Sequence, residues 1–114
     1  MRWMRCTLTD DDREIEITAD LLVDGDDRVL PEFTYFGQWR DSKKTYPLIF
    51  LRDDSAVDFG TDYGGPKDRY GELSLHGRIM SESTFFSYKD GAGEYELKIL
   101  RCRDLADESN RGHQ

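Results

Sequence analysis

The residues best placed to do chemistry are carboxylates. Residues 10–32, DDDREIEITADLLVDGDDRVLPE, hold ten acids (Asp10, Asp11, Asp12, Glu14, Glu16, Asp20, Asp24, Asp26, Asp27, Glu32) against two bases, Arg13 and Arg28, a net of −8. The whole chain also carries −8, so the other 91 residues balance and the surplus belongs to this segment. Hard oxygens in DDD and DGDD suggest calcium, but the EF-hand template needs D-x-[DN]-x-[DN]-G with a Glu at its twelfth position, and that pattern is missing. Paired carboxylates can also hydrolyse glycosides, given a defined separation across a cleft. With 24 acids in 114 residues such pairs arise by chance. No metal site is expected. What remains is recognition by charge: a dense negative segment repels nucleic-acid backbone and anionic membrane and attracts a basic protein surface.

Other chemistry is thin. His113 falls in a polar tail, leaving His76 beside Ser74, Glu72 and Arg78, with no G-x-S-x-G or other nucleophile elbow around it. Neither GTDYGG (60–65) nor GAG (91–93) matches a phosphate-cradling loop, and both are expected to be turns. Cys6 and Cys102 lack C-x-x-C spacing. They are expected to be reduced thiols, or neighbours on adjacent terminal strands whose bridge would close nearly the whole chain. No catalytic residue and no cofactor is expected.

Strands must position these groups, because apolar residues recur at every second position between turn signals. In REIEITADLLV, Ile15, Ile17, Ala19, Leu21 and Val23 face one way and Glu14, Glu16, Thr18 and Asp20 the other. ELSLHGRI repeats the pattern with Leu73, Leu75, Gly77 and Ile79 inward and Glu72, Ser74, His76 and Arg78 outward; EYELKILRC repeats it with Tyr95, Leu97 and Ile99 inward. TYPLIFLR (45–52) is apolar on both faces, as in a strand inside a sheet, with Pro47 near its start. FTYFGQW (33–39), WMRCTL (3–8) and AVDFG (56–60) are further strands, and KDGAG makes a hairpin of residues 83–102. No stretch of ten residues keeps helical spacing, and at most one short helical turn is expected, near 103–108.

Composition sets the bounds. Fourteen aromatic residues argue against disorder despite 35% charged residues, and no apolar run reaches the roughly 20 residues of a membrane span. The fold expected is all-β and mainly antiparallel, a small single-domain barrel or sandwich of seven to eight short strands over residues 1–105, with a flexible tail at 106–114. The chain is expected to be soluble and cytoplasmic.

On strand 13–23, Glu14, Glu16 and Asp20 share the solvent face and the clusters 10–12 and 24–27 flank it, so their potentials should add within one Debye length of about 8 Å. The expected function is a non-enzymatic protein-binding module. Immunity proteins that neutralise a toxin, and inhibitors that imitate nucleic-acid charge, combine such size and charge. Glu14, Glu16, Asp20, Asp24, Asp26 and Asp27 would meet basic side chains of a partner, which would be a toxin or a nucleic-acid-binding protein, while Tyr35 and Trp39 would supply contact area. Neither nucleic acid nor membrane is expected as a direct partner. The alternatives are a barrel that binds a small ligand, or acts as an enzyme, through an aromatic-lined pocket, and a structural accessory subunit.

Overall fold

A computed structural model describes residues 1–12, 14–42, 44–52, 56–59, 70–80, 85–91 and 93–106. Eight antiparallel strands follow one another as β1 (Arg2–Thr9), β2 (Glu16–Val23), β3 (Tyr35–Arg40), β4 (Thr45–Phe50), β5 (Ala56–Asp58), β6 (Tyr70–Leu73), β7 (Phe85–Asp90) and β8 (Gly93–Asp104). Each pairs with its sequence neighbour, and β8 returns to pair with β1, so the meander closes into a barrel. Closure leaves no outermost strand to recruit another chain. At residues 105–106, where the described part ends, the backbone turns helical. The remainder of the expected tail lies outside the described residues, as does the whole of GTDYGG.

The period-two alternation on β2 survives intact. Ile17, Ala19, Leu21 and Val23 face a core completed by Met4, Cys6 and Leu8 of β1, Leu48 and Phe50 of β4, Phe86 and Tyr88 of β7, and Leu97 and Ile99 of β8. Gly37 of β3 faces the same interior opposite Ala19 and Leu48. A Cβ there would lie 2.2 Å from the Thr18 carbonyl oxygen, so the approach of β3 to β2 requires glycine. Among the described residues only Ile49 and Phe50 of β4 pair with β5, so Pro47 sits where β4 has a sheet neighbour on one side.

Two departures from strict alternation shape the molecule. On β8 the register with β1 shifts between Thr7 and Leu8, which pair with Arg101 and Ile99 and leave Leu100 as an extra residue. This β-bulge changes parity. Odd residues up to Ile99 face inward and Cys102 does so beyond it, opposite Cys6.

The second departure corrects the strand expected over 72–79. β6 ends at Leu73; Gly77 adopts φ 75° in a turn, Ile79 is 43% exposed, and Met80 is buried instead. Here the chain leaves the sheet to seal one end of the barrel. Val29 N–H donates to the Arg78 carbonyl (2.9 Å), Gly77 N–H to Val29 (2.8 Å) and Met80 N–H to Asp27 (2.9 Å). Those backbone bonds join the β2–β3 connection to the segment after β6 and bury Val29, Leu75 and Met80 over the core. His76 is part of this seal rather than of a wet strand face. Its Nε2 lies 2.7 Å from the Phe33 carbonyl oxygen and its ring lies 5.3 Å from that of Tyr35.

The opposite end is filled by rings. Trp39 packs on Phe59 (5.4 Å) and Tyr88 (5.0 Å), and Tyr88 stacks on Tyr95 (6.1 Å). Aromatic pairs at such separations and tilts are favourable beyond the area they bury. Tyr88 also donates its hydroxyl hydrogen to Asp90 (2.7 Å).

Candidate partner-binding face

Register fixes what the outside of the first four strands presents. Trp3 lies opposite Leu22; the next outward row is Arg5, Asp20, Phe36 and Ile49; then come Thr18, Gln38 and Pro47; then Glu16, Arg40 and Thr45. Phe36 is the anomaly, being 65% exposed near the start of β3, with Trp3 and Phe33 also exposed toward the sealed end of the barrel. An open depression of about 390 Å³ beside Phe36 is lined by Arg5, Thr18, Asp20, Gly37 and Gln38.

The acids do not form the continuous stripe expected of them. Arg5 holds Asp20 through two hydrogen bonds, Nε to Oδ1 at 2.8 Å and Nη2 to Oδ2 at 3.1 Å. Arg40 reaches Glu16 at 2.9 Å, and Arg2 pairs with Asp27 and, at 3.4 Å, with Asp104. The physical reason is cross-strand geometry: the residues opposite Glu16 and Asp20 are Arg40 and Arg5, and facing opposite charges pair. Such half-exposed pairs contribute about 0.2–1 kcal/mol each, but they cancel the long-range field of the acids they engage. Glu16, Asp20 and Asp27 are therefore corrected from outward-looking charges to internally compensated ones.

Asp24 has a local task. Its Oδ1 accepts from the backbone N–H of Asp26 (2.8 Å) and Arg28 (3.0 Å), closing the DGDD turn in which Asp27 takes φ 64°. Those hydrogen bonds to Arg28 and Asp26 hold its carboxyl below the ordinary carboxylate value. Asp10 likewise accepts from the N–H of Glu14 and Ile15. Among the described residues no ion pair involves Asp11, Asp12, Glu14, Asp26 or Glu32. Among the described residues these carboxylates form two lobes, at the β1–β2 turn and at the β2–β3 connection. An eight-residue strand separates them by roughly 23 Å, well beyond the Debye length of about 8 Å.

Tyr35 and Trp39 are the second correction. They are 1% and 5% exposed, members of the core rather than of a surface. Tyr35 Oη lies 2.6 Å from the Leu30 carbonyl oxygen and 3.2 Å from that of Leu22, and burial pushes its pKa up to about 12. The ring that faces solvent is Phe36, their even-numbered neighbour. A signal for it was present in the sequence: Phe36 and Gln38 alternate with Tyr35 and Trp39, so one short strand carries rings on both faces and only one face can be core.

A second open depression, about 510 Å³, lies on the outside of β7 and β8 beside exposed Phe85, where Ser87 Oγ donates to Glu94 at 3.0 Å. Among the described residues no three or more His, Cys, Asp or Glu side chains gather as metal ligands, and no helix is long and apolar enough to cross a membrane. Comparison with protein-family models, curated proteins and solved structures finds no match.

Proposed function

We propose that this chain is a non-enzymatic, cytoplasmic protein-binding module of the immunity or inhibitor kind, which engages a basic partner protein through the outer face of β1–β3. The observation that carries it is Phe36, a large apolar side chain of β3 held in solvent beside a depression, with an ion pair on its flank. Aromatic anchors of that sort concentrate binding energy at protein interfaces. The two acidic lobes, Asp11, Asp12 and Glu14 at one end and Asp26 and Glu32 at the other, would steer a positively charged partner toward that face. A core filled by its own side chains supports a function carried on the outside.

The test begins with affinity capture on the wild-type chain and identification of what binds. Association of that partner is then measured with Phe36→Ser and with a triple Asp11→Asn, Asp12→Asn, Glu14→Gln variant at low and high salt. Phe36→Ser should weaken affinity by tenfold or more, on the order of a hot-spot truncation. The triple variant should slow association at low salt only. A partner indifferent to both variants would refute the proposal.

One observation favours the ligand-binding alternative. Trp39 Nε1 is buried with no hydrogen-bond partner among the described residues, inside the aromatic end of the barrel. A small molecule with an acceptor atom would satisfy it. Titration with acceptor-bearing aromatic ligands, followed by tryptophan fluorescence in wild type and in Trp3→Phe, separates the two: saturable quenching that persists in Trp3→Phe favours this reading over the first.

A further inference from the structure

We infer that Cys6 and Cys102 are a disulfide-forming pair that staples the closing seam of the barrel, β1 to β8, when a peroxide-class oxidant reaches it. The two residues are directly opposite in the β1–β8 register, and Cys102 Sγ lies 2.6 Å from Cys6 Sγ. That is far inside ordinary non-bonded contact and only about 0.6 Å beyond a disulfide bond of roughly 2.0 Å. The juxtaposition depends on the bulge at Leu100, because uninterrupted alternation from Ile99 would have turned Arg101 inward and Cys102 out.

The two thiols differ in access, and this sets their order of reaction. Cys6 is sealed in the core, whereas Cys102 is half-buried at its edge. The hydrogen bond with Cys102, together with burial, pushes the Cys6 thiol up, so it stays protonated. Cys102 is therefore the sulfur that meets the oxidant. Its thiolate attacks one oxygen of hydrogen peroxide, breaking the O–O bond, forming a sulfenic acid and releasing hydroxide, which takes a proton from solvent to become water. Cys6 then attacks the Cys102 sulfur: the S–S bond forms, the S–O bond breaks, and the departing hydroxide leaves as water with the Cys6 proton. Two thiols and one peroxide give one disulfide and two waters.

The consequence follows from sequence separation. A link from residue 6 to residue 102 ties together strands from the two extremes of the chain, and a cross-link that spans a longer loop removes more unfolded-state freedom. This inference is independent of the partner-binding proposal, since both cysteines face the core and none of the outward rows contains them.

The test treats the folded, fully reduced chain with stoichiometric peroxide and follows free thiols, intact mass and thermal unfolding. The expected result is loss of two thiols and two hydrogen masses in a monomer, with a melting temperature raised on the order of 10 °C and returned to its starting value by dithiothreitol. Cys102→Ser should fold, retain a protected Cys6, and melt identically with and without peroxide. Both thiols still alkylatable, oxidation to sulfinic acid, covalent dimers, or a disulfide that leaves the melt unchanged would each overturn the inference.

Discussion

Tyr35 and Phe36 are consecutive on β3, yet one is 1% exposed and the other 65%. The inner face of this strand consists of Tyr35, Gly37 and Trp39, each committed to the barrel: a hydroxyl bound to backbone, a missing Cβ that admits β2, and an indole packed on Phe59 and Tyr88. On the outer face, Phe36, Gln38 and Arg40, the one ion pair among the described residues is that of Arg40 with Glu16. Aromatic residues thus serve two purposes on one short strand. Parity along the strand, not residue type, decides which purpose a ring serves.

The comparison breaks most readily from the inside. Trp39→Ala should cost about 3–5 kcal/mol, because it removes the centre of the ring cluster and leaves a cavity between Phe59 and Tyr88. Urea unfolding measures it; a loss below about 1 kcal/mol would mean that the indole is not packed as described. Gly37→Ala should cost about 1–3 kcal/mol by driving β3 away from the Thr18 carbonyl, and an unchanged denaturation midpoint would contradict that close approach.

Tyr35→Phe should cost about 1–3 kcal/mol, since the Leu30 carbonyl loses its donor inside the seal. The tyrosine also has a pH signature. Its folded pKa, about 12, lies above the ordinary 10, so its contribution is complete below pH 10 and is lost as pH rises toward 12. Melts recorded across that window should fall less steeply for Tyr35→Phe than for wild type; parallel falls would remove Tyr35 from the alkaline transition.

The smallest effect concerns Asp24. Its folded pKa lies below the ordinary 3.8, so its contribution is present above that value and is lost as pH falls through it. Asp24→Asn should flatten the acid limb of stability while leaving neutral stability nearly unchanged. An acid limb identical to wild type would show that the two backbone hydrogen bonds are not felt by the carboxylate.

Much of this architecture was legible in the sequence. The inward set Ile15, Ile17, Ala19, Leu21 and Val23 is buried as alternation requires, and the all-β antiparallel class follows from repeating that pattern between turn residues, whereas the choice of a closed barrel over a sandwich comes from the pairing of β8 with β1. What was not legible depends on neighbours distant in the chain. ELSLHGRI alternates as a strand does, but Gly77 and His76 are drawn away by hydrogen bonds to Val29 and Phe33, more than forty residues earlier. The inward turn of Cys102 needs the extra residue Leu100, visible only once β8 is laid against β1. The acids illustrate the same limit. Their number and outward direction are in the sequence, but cancellation of Glu16 by Arg40 and Asp20 by Arg5 is a matter of register across strands.

The most direct test of an outside-working barrel sets the two neighbours on β3 against each other. Binding of the captured partner is measured by calorimetry for wild type, Phe36→Ser and Tyr35→Phe at a temperature where all three are folded. Phe36→Ser, whose stability should stay within about 0.5 kcal/mol of wild type, is predicted to lose at least tenfold in affinity while Tyr35→Phe keeps the wild-type value. The reverse order, with binding sensitive to the inner ring and indifferent to the outer one, would contradict the account.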